Sequence, residues 1–239
     1  MILNTLRYAG WDVRRISALP AIKKAEQEAR SLEKWRFLQR YNAQTILDIG
    51  ANVGQFARIA RHWNSDALLV SFEPLADCAD VLEKLSAELA PHRLIRTALG
   101  SSTGKSQIHH NQSSPSSSLL EMNSLHREEL PHTSESWVET IEIQRLDDVF
   151  AEPLEPPVFV KIDVQGFERE VIEGGAETIA NAEAVVMEVS LQSLYKDAPT
   201  FDELYGRMRT MGFHYRGNVD QWVSRADGRI LQCDCLFER

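Results

Sequence analysis

The feature of this sequence best suited to binding chemistry is an acidic residue followed by a short glycine loop. Asp48 closes a β-branched, apolar run, and Gly50, Ala51, Asn52 and Gly54 follow it. Beyond the loop, apolar residues recur at helical spacing. A strand, a tight turn and a helix in this order present backbone N–H groups to a nucleotide-like ligand. A tight turn that binds no ligand is the alternative.

A second acidic residue lies where it could complete such a ligand site. Glu73 ends the next apolar run, and Pro74 follows it. A carboxylate at that position can accept hydrogen bonds from the two hydroxyls of a ribose, whereas a solvated strand end is the alternative. Asn52 replaces the second glycine that lets a pyrophosphate approach a dinucleotide-binding loop. The pattern therefore favours S-adenosylmethionine, which offers a carboxylate and a ribose, over NAD.

A further cluster of ionisable residues follows a later apolar run. Lys161 lies within that run, Asp163 ends it, Gly166 marks a turn and Glu168 opens a predicted helix. Because the carboxyl ends of parallel strands open onto the ligand crevice, we expect Asp163 to face both cofactor and acceptor. Glu168 could act there too, although the helix dipole also favours a carboxylate in a first helical turn. A lysine inside an apolar strand needs an anionic partner, and a nearby carboxylate is the obvious candidate.

Alternating strands and helices must position these residues. This alternation is typical of a parallel sheet with helices on both faces. The predicted strands are Thr45–Ile49, Leu68–Glu73, Leu94–Leu99, Val158–Ile162 and Ala184–Val189, and the predicted helices are Phe56–Trp63, Ala76–Leu89, Glu168–Ile179 and Phe201–Met211. The last helix begins with a capping box of Thr200 and Glu203. Gln221–Val223 and Ile230–Phe237 are predicted to form an antiparallel hairpin that closes the sheet.

Two segments differ from this alternation. Residues 1–42 carry helical patterns interrupted by Pro20, and they predict a helical arm before a main α/β domain of residues 43–239. The arm could cover the cleft, or lie on a membrane or a partner subunit. Residues 105–140 form a polar, serine-containing insertion, which is either a flexible surface loop or a lid. It contains histidines that we expect to be loop residues, although they could supply a base: His109, His110, His126 and His132.

The composition restricts the classes of function. The 239 residues carry a formal net charge of −9, which disfavours nucleic-acid binding. We expect a cytoplasmic protein without a transmembrane segment, because no apolar run reaches the length of a span and no signal peptide is evident. Three cysteines are too few for a disulfide framework. For the lone C-x-C of Cys233 and Cys235 we expect strand packing, and we predict no metal site.

Together these motifs resemble the FkbM family of S-adenosylmethionine-dependent methyltransferases. The resemblance runs from about Thr45 to about Phe213 and rests on residues 48–54, 72–74, 98–100, 161–168 and 188–190, with Leu194-Tyr195, Phe201 and Gly212-Phe213. It implies a Rossmann-like class I methyltransferase fold, in which a mostly parallel seven-stranded sheet has helices on both faces and a C-terminal antiparallel hairpin. It also implies O-methylation of a hydroxyl on a sugar, a polysaccharide or a secondary metabolite.

The resemblance assigns roles to individual residues. It implies that Asp48, Gly50, Asn52, Gly54 and Glu73 hold the cofactor, with Ala98 and Leu99 near its adenine. The run from Ser116 to Ser118 resembles a serine-containing segment that lies near the cleft in this family. One departure concerns Gln165, where the family usually carries glutamate. Any mechanism that needs a charge at that position is therefore in doubt for this chain.

The chemistry of methyl transfer to an alcohol suggests roles for the second cluster. Transfer from a sulfonium is an in-line displacement, and the acceptor hydroxyl also has to lose a proton. We predict that Asp163 or Glu168 faces the acceptor, that Lys161 tunes the local charge and that Glu188 is a second-rank candidate. A nicotinamide-dependent oxidoreductase and a non-catalytic cofactor-binding module are the alternatives. The acceptor, a small molecule or a glycan, is not named by the sequence, and a homo-oligomer is one option for the assembly.

Overall fold

The computed structural model describes residues 13–111, 117–120, 122–129 and 136–239. His132 and residues 112–116 of the serine-containing run lie outside these ranges. The chain divides into two compact units, residues 1–36 and 37–239. In the described part of the first unit, helix α1 (Val13–Lys34) continues through Pro20, so the predicted interruption there is wrong. A proline removes one backbone donor, and a helix of 22 residues keeps its remaining hydrogen bonds.

The second unit is built on a seven-stranded sheet. The described strands of the chain are β1 (Thr45–Ile49), β2 (Leu68–Phe72), β3 (His92–Ile95), β4 (Ala98–Leu99), β5 (Gly104–Asn111), β6 (Ser136–Gln144), β7 (Val158–Ile162), β8 (Ala184–Ser190), β9 (His214–Val223) and β10 (Ile230–Glu238). The large sheet has the order β3-β2-β1-β7-β8-β10-β9. Its first five strands are parallel, and β10 runs antiparallel to both β8 and β9. This confirms the predicted sheet with its C-terminal hairpin.

Helices follow the strands as the alternation predicts. Their bounds are α2 (Gln55–Trp63), α3 (Ala76–Leu85), α4 (Ser124–Glu129), α5 (Glu168–Gly174), α6 (Ala176–Ala180) and α7 (Phe201–Thr210). The predicted helix Glu168–Ile179 is in fact two helices, because the Asp147 carboxylate accepts hydrogen bonds from the backbone N–H groups of Glu177 and Thr178 and caps α6. The Thr200 hydroxyl caps α7 by accepting from the Glu203 N–H, as predicted.

The insertion is more regular than its composition suggests. Strands β5 and β6 pair antiparallel across it, and β4 joins β6 in a separate three-stranded sheet. The predicted strand Leu94–Leu99 is therefore divided between two sheets, as β3 and β4. Alternate side chains of the small sheet, those of Ile108, Ile141 and Ile143, are buried with Leu75. Burial of one face is the physical reason that a polar segment forms strands here.

The structure also bears on the cysteines and on membrane spans. Cys233 and Cys235 lie on β10 within the hydrophobic core, as the packing interpretation predicts. Within residues 13–111, 117–120, 122–129 and 136–239, no helix has both the length and the apolar character needed to cross a membrane.

Candidate active site

The glycine loop after β1 is held against the ends of two neighbouring strands. The N–H groups of Gly50 and Ala51 both donate to the carbonyl oxygen of Phe72 at the end of β2, at 3.1 and 3.0 Å. Gly50 has φ 81°, and a Cβ added there would lie 1.8 Å from the carbonyl oxygen of Asp163. Only glycine fits this close approach of two chain segments. The loop therefore brings Asp163 beside the end of β1, as the sequence predicts for residues at the carboxyl edge.

Glu73 closes the other side of the loop. Its two carboxylate oxygens accept hydrogen bonds from the N–H groups of Asn52 and Leu75, both at 2.8 Å. Burial raises the pKa of Glu73 to about 7, although these backbone donors lower it. Each carboxylate oxygen has a second lone pair, so the group can still accept from a ribose hydroxyl. The structure brings Glu73 to the loop, and its role toward a ribose stays a prediction.

Asp48 is a fully buried carboxylate at the base of this site. Within the described part of the chain, neither of its oxygens has a hydrogen-bond partner. Burial raises the pKa of Asp48 to about 6, and the Lys161 ammonium lowers it by less. A buried polar group without a partner is costly and calls for an explanation. A polar ligand in the loop would provide that partner, so the residues present fit the predicted cofactor.

The two residues predicted to lie near an adenine, Ala98 and Leu99, belong to different hydrophobic clusters. Ala98 belongs to an apolar cluster with Leu75 and Ile108, and Val53 of the glycine loop packs against the same cluster. Leu99 instead lies in the central core of the large sheet. The cluster provides an apolar wall beside the loop, and adenine contacts of Ala98 and Leu99 stay predictions.

Lys161 and Asp163 form a buried ion pair at the end of β7. Their side chains are 2.9 Å apart, and Lys161 is 7% exposed. Burial would lower the pKa of Lys161, but Asp163, Asp48 and Asp234 raise it above its ordinary value. Burial likewise opposes ionisation of Asp163, yet Lys161 and a hydrogen bond from Gln165 hold its pKa below the ordinary value. The lysine thus has the carboxylate partner that its position in an apolar strand predicts.

Glu168 braces the turn that follows β7. One oxygen of its buried carboxylate accepts from the N–H groups of Gly166 and Val164, at 3.1 and 3.3 Å. Burial raises the pKa of Glu168 to about 7. These contacts favour a structural role over contact with an acceptor. The predicted role of Glu168 as a base stays untested.

One polar residue of the site, Gln232, is not singled out by the sequence pattern. Gln232 on β10 donates to the Glu188 carboxylate at 3.1 Å, and the Tyr195 hydroxyl donates to Gln165 at 2.6 Å. Burial raises the pKa of Glu188 well above its ordinary value, and Asp163 and Asp234 raise it further. Tyr195 belongs to a motif of the resemblance, whereas nothing marks Gln232 in the sequence.

Ser118 and His126 of the insertion contact residues of this site. Ser118 donates from its hydroxyl to the carbonyl oxygen of Gln165 at 2.6 Å. His126 lies on α4, is buried and packs its ring 5.1 Å from that of Tyr195. The prediction that His126 is a loop residue is therefore wrong, because apolar neighbours order this part of the insertion. His109 and His110 lie on β5, and are likewise not loop residues.

The fold and site together define a class of protein. A doubly wound sheet in this order, with a glycine loop and acidic strand ends at its carboxyl edge, is the class I methyltransferase fold. The sequence profile described as the Methyltransferase FkbM domain matches residues 48–215. The chain belongs to this family, and the resemblance drawn from the motifs is confirmed.

Individual relatives agree with this assignment. The chain is 32% identical over 158 residues to 2-O-methyltransferase NoeI of Sinorhizobium fredii, covering 63% of this chain and 65% of NoeI. It is 29% identical over 153 residues to methyltransferase sdnD of Sordaria araneosa, covering 54% of this chain and 59% of sdnD. The chain thus spans less than two thirds of the length of these curated relatives. The crystal structure of an FkbM methyltransferase from Methylobacillus flagellatus shares the fold, with a TM-score of 0.51 at 12% identity over 83% of this chain and 44% of that one.

Proposed function

We propose that this protein is an S-adenosylmethionine-dependent O-methyltransferase whose acceptor is a hydroxyl of a sugar, a polysaccharide or a secondary metabolite. The observation that carries the proposal is the buried carboxylate of Asp48, which has no hydrogen-bond partner among the described residues and lies beneath a glycine loop that also approaches Asp163. Membership of the FkbM family supports methyl transfer. The name of NoeI, a 2-O-methyltransferase, supports oxygen as the atom that is methylated.

The cofactor is S-adenosylmethionine, which supplies an electrophilic methyl group when bound. The backbone of residues 50–54 and the carboxylate of Asp48 would hold its amino-acid portion, and Glu73 would hold its ribose. The apolar cluster around Ala98 offers a surface for an aromatic base. Each of these groups is present at the carboxyl edge of the sheet, where ligands of such folds bind.

Asp163 is the residue best suited to contact the acceptor. Its pKa lies below the ordinary value because Lys161 stabilises the charge, so the carboxylate is ionised at neutral pH. An ionised carboxylate accepts a hydrogen bond from an alcohol and so aligns the alcohol oxygen. It can then take the hydroxyl proton as that oxygen bonds to the methyl group. Glu188 has a raised pKa and is the weaker candidate at neutral pH.

A pocket lined by Glu188, which shares the Gln165 amide with Asp163, could receive the rest of the acceptor. Its volume is about 130 Å³, and its lining includes Glu188, Gln232, Trp222 and Asp234. Carboxylate and amide groups around one aromatic ring suit a ligand that carries several hydroxyls. The lining supports a polyhydroxylated acceptor over an apolar one.

Incubation of the purified protein with methyl-labelled S-adenosylmethionine and a panel of methyl glycosides tests the proposal. We expect label in a glycoside with a free 2-hydroxyl and none in its 2-deoxy counterpart. Asp163→Asn should lower turnover about a hundredfold while S-adenosylhomocysteine affinity changes far less. The exposed Asp66→Asn is the matched control. Label in no glycoside and in no component of a cell extract would favour a non-catalytic module.

The competing enzyme class has its own readout. S-adenosylhomocysteine should raise the melting temperature and NAD should not, because only a ligand that binds the folded state stabilises it. Stabilisation by NAD alone would favour the oxidoreductase. We also propose a cytoplasmic location, which cell fractionation can test. Light scattering can test whether the protein forms a homo-oligomer.

A further inference from the structure

The side chain of Gln165 joins three residues of the site through one amide group. Its Nε2 donates to Oδ1 of Asp163 at 2.8 Å and to Oε2 of Glu188 at 2.7 Å. Its Oε1 accepts from the Tyr195 hydroxyl at 2.6 Å. Both amide hydrogens and the amide oxygen are thus used, and each faces a partner of the matching kind. No other orientation of the amide satisfies these three neighbours.

The backbone of Gln165 is fixed in a conformation that side chains rarely adopt. Its φ is 55°, in the left-handed region, and Gly166 follows with φ 97°. The Ser118 hydroxyl donates to the Gln165 carbonyl oxygen, and a Cβ on Gly166 would lie 3.2 Å from Leu120. Residues in such regions persist where their surroundings hold them, and they concentrate at functional sites. The insertion and the turn after β7 together fix where the amide points.

An amide suits the neighbours of position 165 in this chain, although the FkbM family usually carries glutamate there. Asp163 and Glu188 both present carboxyl oxygens to Gln165, and two adjacent carboxylates repel each other. The NH₂ group offers two donors without a charge, whereas a carboxylate in its place would offer lone pairs to both neighbours. The other oxygen of Asp163 is held by Lys161 at 2.9 Å. Both oxygens of Asp163 are therefore fixed in direction.

Gln165 also connects Asp163 with the acceptor pocket. Glu188 lines the pocket and receives hydrogen bonds from Gln165 on one side and from Gln232 on the other. Asp234 of β10 lies directly opposite Glu188 in the sheet register. A shift of the Gln165 amide would therefore move the group that contacts the reacting hydroxyl and one wall of the pocket together.

We propose that Gln165 is a positioning residue, whose amide holds the carboxyl groups of Asp163 and Glu188 in the arrangement that aligns an acceptor hydroxyl. This inference rests on the proposed function. The Gln165 side chain contacts Asp163, Glu188 and Tyr195, and in this proposal it acts through its two acidic neighbours. The ionisable groups that face this arrangement are Asp163 and Lys161 of β7, Glu168 of α5, Glu188 of β8, Tyr195, His126 of α4 and Asp234 of β10.

Gln165→Glu is the sharpest variant, because it keeps the size and shape of the side chain. The new carboxyl lies among acidic groups, so folding favours its protonated form, and its stability cost grows as the pH rises from about 5 to about 8. We expect the melting temperature to fall below that of the wild type by about 3 °C more at the upper pH than at the lower. The exposed Gln39→Glu should show no such dependence. If the melting-temperature difference between Gln165→Glu and the wild type does not change with pH, that result would contradict the described amide contacts.

Turnover separates positioning from mere stability. With the acceptor that the wild type methylates, Gln165→Glu should lower kcat about tenfold or more at pH 8 and recover toward pH 6, with the KM for S-adenosylmethionine changed less than about threefold. Gln165→Met, which cannot donate, should lose kcat at every pH. If Gln165→Glu has the kcat and the pH profile of the wild type, the positioning role of Gln165 is refuted while the proposed function stands. Absence of transfer by the wild type would instead refute the proposed function and this inference with it.

Discussion

Replacing Asp48 by asparagine should make the folded protein more stable at neutral pH and weaken its binding of the cofactor. Burial raises the pKa of Asp48 to about 6, against a reference value of 3.8. A difference of about two pKa units corresponds to about 3 kcal/mol of free energy. Because the folded pKa is the higher one, the folded state holds the proton more tightly. The contribution of Asp48 to stability is thus fully present below about pH 4, is lost between about pH 4 and pH 6, and stays lost above that.

Asparagine does not ionise, so Asp48→Asn does not lose stability as the pH rises through the pKa of Asp48. Relative to the wild type, its free energy of unfolding should improve by up to about 3 kcal/mol between pH 4 and pH 7. Urea denaturation at several pH values measures this difference directly. Glu168 also has a raised pKa, but it titrates in both proteins, and the comparison cancels it. The Asp48 charge raises the pKa of Glu73, so the measured difference includes the relief of that repulsion as well. Asp66→Asn, at an exposed position, is the matched control and should change the free energy of unfolding by less than about 0.5 kcal/mol.

The same substitution should weaken S-adenosylhomocysteine binding about tenfold or more, because a hydrogen bond to a charged group contributes about 1.5–3 kcal/mol. Calorimetric titration of both proteins with S-adenosylhomocysteine at one pH measures this change in affinity. A variant that gains stability and loses affinity would identify Asp48 as a group retained for binding at the expense of stability. The reasoning is refuted if Asp48→Asn unfolds with the same pH dependence as the wild type.

Two further predictions concern the backbone. Gly50→Ala should cost more than about 2 kcal/mol of unfolding free energy, because Gly50 has φ 81° and its Cβ would meet the Asp163 carbonyl oxygen. Gly206→Ala is its matched control in open space on α7, and should gain up to about 1 kcal/mol; equal effects would contradict the described loop. Thr200→Ala should cost about 1 kcal/mol by removing the cap of α7, and Thr200→Ser should restore most of it in the same urea assay.

Much of the fold can be predicted because its signals are local. Strands β1 and β7 are buried at every position, so their sequences are mostly apolar, and the few polar residues within them stand out. The glycine loop lies directly after β1, and the helix cap at Thr200 lies within four residues of its partner. Such elements need no knowledge of distant residues. Their order then implies the doubly wound sheet.

The errors occur where a distant segment decides the local structure. The break between α5 and α6 depends on Asp147, which approaches from an earlier loop. The insertion pairs as strands because one face of β5 and β6 packs on Leu75 and Ala98. His126 becomes buried because α4 packs against Tyr195. A local pattern of polar residues cannot report these contacts.

The sequence alone determined the family, the glycine loop and the identity of the acidic residues around it, because these depend on residues close together in the chain. The tertiary structure decided which of them meet. It brings β10 between β8 and β9, so that Gln232 reaches Glu188, and it places Gln165 between Glu188 and Asp163. Asp48 is buried in the sheet and has no hydrogen-bond partner among the described residues, and no sequence pattern reveals whether a buried carboxylate has a partner. The physical reason is that burial and hydrogen bonding depend on every chain segment that surrounds a group.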